Sequence, residues 1–131
     1  MSNCIITLRS TIDGNSTTSK FTGTFSKEEK HVELRYADNG AHVRITLTPA
    51  LVEITRRGDY TLYLPLQAGK RTKGTIGING GEGVVSIACE RVEYTLKEDG
   101  VLLLASYELI FGEEAQKTSL CLRAQREKNE N

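Results

Sequence analysis

Proline occurs only twice in 131 residues, so few strands would lose an N–H donor to a pyrrolidine ring. Cysteine is almost as scarce: Cys4, Cys89 and Cys121 are odd in number and far apart. A disulfide framework is not expected, and a reducing, cytoplasmic compartment fits better. The two histidines, His31 and His42, have no metal-ligand spacing to each other or to any cysteine, so no metal is expected. No apolar run approaches the roughly 18 residues of a membrane-spanning helix. Met1 to Arg9 lacks a charged n-region and a long apolar h-region, so no secretory signal is expected. Asn15-Ser16-Thr17 then reads as a polar turn rather than a glycosylation acceptor. Charge of one sign is missing too: Lys plus Arg and Asp plus Glu are both 17. The halves balance as well, with 8 basic and 7 acidic residues through residue 65, then 9 and 10. A nucleic-acid or anionic-membrane partner would show as a basic excess, and neither is expected.

What the chain does have is β-branched residues: 14 Thr, 9 Ile and 7 Val. These stiff side chains suit a pleated surface. The dominant signal is alternation. Val32, Leu34 and Tyr36 alternate with Glu33 and Arg35, and Val43, Ile45 and Leu47 with His42, Arg44 and Thr46. Val52–Ile54, Leu62–Leu64–Leu66 and Leu120–Leu122 behave alike. A period of two with one apolar face marks antiparallel strands. Asp38-Asn39-Gly40, Gly58-Asp59, Glu98-Asp99-Gly100 and Gly112-Glu113 separate the runs, as tight hairpins require. Strands are predicted near 3–12, 18–27, 31–37, 41–48, 51–57, 60–66, 72–79, 83–96, 101–111 and 116–124. Many short strands at hairpin spacing predict an all-β, single-domain antiparallel meander barrel of about eight to ten strands. The barrel domain is expected over 1–124, with 125–131 as a frayed polar tail.

Two places break the pattern. Val85, Ile87 and Cys89 are odd-numbered, whereas Val92, Tyr94 and Leu96 are even. A one-residue bulge near Glu90 accounts for the switch and bends the strand. Val101-Leu102-Leu103-Leu104 is apolar on both faces, which calls for a cover such as a flap or a second copy of the chain. The best helical stretch, Ser26 to Lys30, amounts to one turn.

Few motifs carry chemistry. Residues 74–83 hold five glycines but neither a Walker A nor a G-x-G-x-x-G spacing, and read as a kinked strand entering a hairpin. Lys70, Arg71 and Lys73 form the best local anion patch, since no acidic residue lies between Tyr60 and Gly81. No stacking aromatics interleave with it, as single-strand nucleic-acid binding would prefer. Cys89 and Cys121 sit in apolar strands, where an inert thiol is the ordinary outcome. There is no G-x-S-x-G and no H-E-x-x-H, so no catalytic residue and no cofactor is assigned.

Polar residues on the apolar face are more informative. Continuing the alternation puts Arg56, Tyr36 and Tyr107 in phase with apolar neighbours, and Glu90 and Tyr94 in phase with Val92. An interior arginine needs a partner, and Glu90 is the proposed one. These five residues read as a small-ligand pocket with apolar walls, as a hydrogen-bonded core network, or as residues at the barrel's open end.

The stretch Val52-x-Ile54-x-Arg56-x-Gly58, then Gly69, Thr75 to Gly77, and Gly100-x-Leu102-x-Leu104 with Ser106-Tyr107-x-Leu109 resembles the YwiB-like family. That resemblance implies a calycin-type (lipocalin-like) barrel from small bacterial proteins of unknown function, and it implies no activity. The leading reading is a cytoplasmic, non-catalytic barrel binding a small amphipathic molecule inside. Arg56, Glu90, Tyr94, Tyr107 and Tyr36 would orient that molecule. The alternative is a protein-interaction or structural module with a filled core that self-associates as a homodimer. An enzyme comes third, because no acid, base and nucleophile set emerges.

Overall fold

A computed structural model describes residues 2–127. Ten antiparallel strands follow one another: β1 (Ser2–Ile12), β2 (Asn15–Glu28), β3 (His31–Asp38), β4 (Ala41–Leu47), β5 (Val52–Arg57), β6 (Tyr60–Leu66), β7 (Arg71–Ile78), β8 (Gly81–Lys97), β9 (Gly100–Phe111) and β10 (Glu114–Arg126). Each pairs with its neighbour in sequence, and β1 also pairs with β10, closing the barrel. No helix long and apolar enough to cross a membrane occurs among the described residues.

The hairpins set the register. Asp13-Gly14, Asn39-Gly40 and Asn79-Gly80 each have two successive positive φ values, the turn whose twist matches paired strands. Gly112, with φ 59°, opens the turn before β10. Gly100 serves differently. It lies in β9 opposite Gln125, and a Cβ there would meet the Ala124 carbonyl oxygen at 1.9 Å. Its requirement is space for a neighbouring strand, not turn conformation.

Inward side chains form one continuous apolar cluster, including Ile6, Phe25, Leu34, Leu47, Leu64, Ile87, Leu103 and Leu122. The bulge falls where the parity switch demands it: Cys89 faces Tyr107, Arg91 faces Ser106, and Glu90 has no partner. The expected tail begins too early, because β10 continues through Arg126. The Arg126 guanidinium lies 4.8 Å from the Phe25 ring centroid, and the side chain is half-buried at that end of the barrel. Residues 128–131 of the expected tail lie outside the described residues. No flap covers Leu102 and Leu104 among the described residues. They are half-buried beside Thr95 and Arg123, and Glu93 and Cys121, on flanking strands.

Candidate functional site

The proposed Arg56–Glu90 pair does not form. Arg56 sits at the rim opposite the Arg126 end, its side chain 16% exposed, with Nη2 3.1 Å from Asp59 Oδ1. Its Nη1 donates to the Tyr60 carbonyl at 3.1 Å, and the guanidinium stacks 3.8 Å from the Tyr60 ring centroid. Hydrogen bonding from Arg56 holds the Asp59 carboxyl below its ordinary range. The reason for the correction is the bulge. Extending the even parity of Val92 back to Glu90 assumed regular pairing, but Glu90 is itself the extra residue and is exposed.

The predicted tyrosines separate. Tyr36 is half-buried and stacked on Phe21, with centroids 4.6 Å apart. Burial, then the Asp38 charge, pushes its phenol up to about 12. Tyr107 is 6% exposed; burial raises its pKa, with smaller contributions from Cys89 and Tyr36. Tyr94 packs half-buried on the core and borders a hollow with the 48–51 turn and Gln67. Tyr36 is thus held by packing, and Tyr107 packs into the interior while bordering an outer hollow beside Ser106 and Glu108.

Their shifted titration makes the fold sensitive to alkali. The folded pKa of Tyr36 lies above its ordinary 10, so the stability it contributes is complete below about pH 10 and is lost as pH rises towards about 12. For Tyr36 the loss is on the order of 2 kcal/mol after discounting its partial exposure, with a further loss from Tyr107. Urea unfolding at about pH 9 and about pH 11.5 should show the midpoint falling, and Tyr36→Phe should reduce the fall. An equal fall in Tyr36→Phe would assign the effect to other groups.

Other predicted residues converge at the bulge. The β6–β7 loop docks on β8 there: Gly69 N–H donates to the Cys89 carbonyl at 2.9 Å, and Cys89 N–H donates to the Lys70 carbonyl at 3.1 Å. The outer wall beside this junction carries a hollow of about 420 Å³. Register explains its shape. Across the wall Arg71 faces Ala88, Ala88 faces Glu108, and Glu108 faces Lys117. In the adjoining row Ser106 faces Ser119. Small residues therefore line the floor, while Lys70, Arg71, Glu90, Glu108 and Lys117 stand around it. None of these five charged groups makes an ion pair among the described residues. Cys89 and Tyr107 contribute to the lining, and burial holds the Cys89 thiol above its usual range.

Four predicted site residues, Lys70, Arg71, Glu90 and Tyr107, thus share one hollow on the outer wall rather than a space within it. Lys73 points outward one position along, opposite Ser86, and takes no part. Glu108 and Lys117 escaped the sequence reading. Their outward parity was visible, but their pairing across β9 and β10 depends on the Gly112 turn. Among the described residues no three His, Cys, Asp or Glu side chains come together as a metal site.

Comparison with known proteins adds fold and family. The DUF1934 family, described as a domain of unknown function, matches residues 6–122. The crystal structure of the ywiB protein from Bacillus subtilis is similar, with a TM-score of 0.80 at 16% identity, over 97% of this chain and 93% of that one. No curated protein matches.

Proposed function

The chain belongs to the DUF1934 family, and on that premise we propose that it is a non-catalytic binding protein for a small amphipathic molecule, held in the bulge hollow rather than inside the barrel. The observation that carries this reading is the convergence of Lys70, Arg71, Lys117, Glu90 and Glu108, without ion pairs among the described residues, around a floor of Ala88, Ser106 and Ser119. A volume of about 420 Å³ suits a small ligand, for which sites run from about 300 to 1,000 Å³. Three cations against two carboxylates favour a ligand whose acidic group meets Lys70, Arg71 or Lys117. Its hydroxyl or amino hydrogens would be donated to Glu90 or Glu108. Strand bulges occur disproportionately beside functional sites, because they re-aim side chains.

Native mass spectrometry of freshly purified protein tests the proposal. The expected result is a retained small-molecule mass that disappears on denaturation and is absent from a Lys70→Ala/Arg71→Ala variant. Wild-type protein without extra mass, whose amide resonances at 69–71, 88–90 and 117–119 also stay fixed on titration with short amphipathic carboxylic acids, would remove the ligand-binding reading.

A further inference from the structure

A second hollow, of about 470 Å³, lies on the outer wall across β2 to β5. It shares no residue with the bulge hollow. Three arginines and one histidine line it: Arg35, His42, Arg44 and Arg57. Their convergence follows from register. The Asn39-Gly40 turn sets Asp38 opposite Ala41, which puts Arg35 directly opposite Arg44. The next hairpin puts His42 opposite Arg57 and Thr55 opposite Arg44.

Like charges directly opposite on neighbouring strands oppose folding, and the acidic groups nearby offset them only in part. The Asp38 charge reaches Tyr36 in the lining but forms no ion pair with these arginines among the described residues. Glu33 Oε1 lies 3.1 Å from Arg35 Nη2 and 3.6 Å from Arg44 Nε, so one carboxylate serves two guanidinium groups. The Glu53 carboxylate accepts a hydrogen bond from the Tyr63 hydroxyl at 2.5 Å. Arg57 has no ion pair among the described residues. The site therefore keeps a surplus of positive charge in a chain whose net charge is zero.

The floor is made of short residues. Thr22, Thr24 and Thr55 contribute hydroxyl groups, and Gly23 lies between the first two. A Cβ at Gly23 would meet the Arg35 carbonyl oxygen at 2.2 Å, so the close approach of β2 to β3 admits glycine only. Long arginines standing over a short floor make walls of forked N–H donors. Guanidinium forks match the oxygens of a phosphate in a bidentate way, and hydroxyl groups complete such a shell. Inorganic phosphate would fill little of about 470 Å³, which leaves room for an organic group.

We infer that the outer groove of β2 to β5 is an anion site for a small phosphate monoester, held by Arg35, Arg44 and Arg57 with His42 at its edge. It is separate from the bulge hollow, and either site can fail without the other.

Titration of ¹⁵N-labelled protein with inorganic phosphate, and then with glycerol phosphate, tests the inference. Expected are saturating shifts of the amides at 22–24, 35, 42–44 and 55–57, with those at 69–71 and 88–90 unmoved. Glycerol phosphate should bind more tightly than phosphate. Arg44→Gln should weaken binding roughly tenfold or more, the scale of a lost charge-assisted hydrogen bond. Lys73→Gln, which lies in neither hollow, should change nothing. Arg44 is exposed and stands opposite Arg35, so Arg44→Gln should unfold at a urea midpoint no lower than that of wild type, which separates lost binding from lost folding. Linear shifts without saturation, or equal shifts from sodium chloride at matched ionic strength, would overturn the inference. So would displacement of glycerol phosphate by a single-stranded oligonucleotide of much higher affinity, which would assign the groove to nucleic acid.

Discussion

Phe25→Ala is expected to lower the unfolding free energy by roughly 3–5 kcal/mol. Phe25 is 2% exposed and is among the largest fully buried side chains. On β2 it faces Leu34 of β3 and Ser2 of β1, and Arg126 lies across its ring. Truncation removes the transfer free energy of a benzyl group and leaves a cavity that strands held on both sides cannot close. It also strips Arg126 of the aromatic face that offsets part of its desolvation. Folded domains have only about 5–15 kcal/mol in total, so the variant should approach the threshold of folding. Equilibrium urea unfolding should show a lower midpoint with an unchanged slope. Val84 is 68% exposed, and Val84→Ala should stay within about 0.5 kcal/mol of wild type. A Phe25→Ala loss as small as that would mean that this end of the barrel is loosely filled.

Gly100→Ala is the second large effect, expected to cost on the order of 3 kcal/mol. The added methyl would sit 1.9 Å from the Ala124 oxygen and 3.0 Å from its carbonyl carbon. Both are backbone atoms, so no rotamer change relieves the clash, and β9 and β10 must separate. Near this junction Arg126 N–H donates to the Asp99 carbonyl at 2.7 Å, so separation also loosens the strand that carries Arg126. Gly81→Ala is the matched control. Its Cβ would come no closer than 3.6 Å to another atom, and the expected change is within about 0.5 kcal/mol. Equal midpoints for the two variants would show that Gly100 is not held against β10.

The alternation of Val43, Ile45 and Leu47 with His42, Arg44 and Thr46 was sufficient to orient β4, because successive strand side chains point to opposite faces. Asn39-Gly40 was sufficient to end β3 and begin β4. The parity switch between Cys89 and Val92 revealed the bulge, since only an inserted residue moves an apolar face without breaking the strand. Register made the groove of Arg35 and Arg44 legible in principle: a two-residue turn at 39–40 puts 35 opposite 44. The pattern alone could not show which of the residues around the bulge was the extra one. That single choice sent Glu90 to the outer wall and left Arg56 to Asp59.

Local pattern determined the strands, their faces and their order, because strand periodicity and turn chemistry are properties of adjacent residues. Tertiary structure decided where the hollows lie and which charges share them. Lys70, Glu90, Glu108 and Lys117 are distant in sequence and meet only because the β6–β7 loop docks on the bulge and β9 pairs with β10. Barrel closure and packing decide such distances, and no short stretch of sequence encodes them.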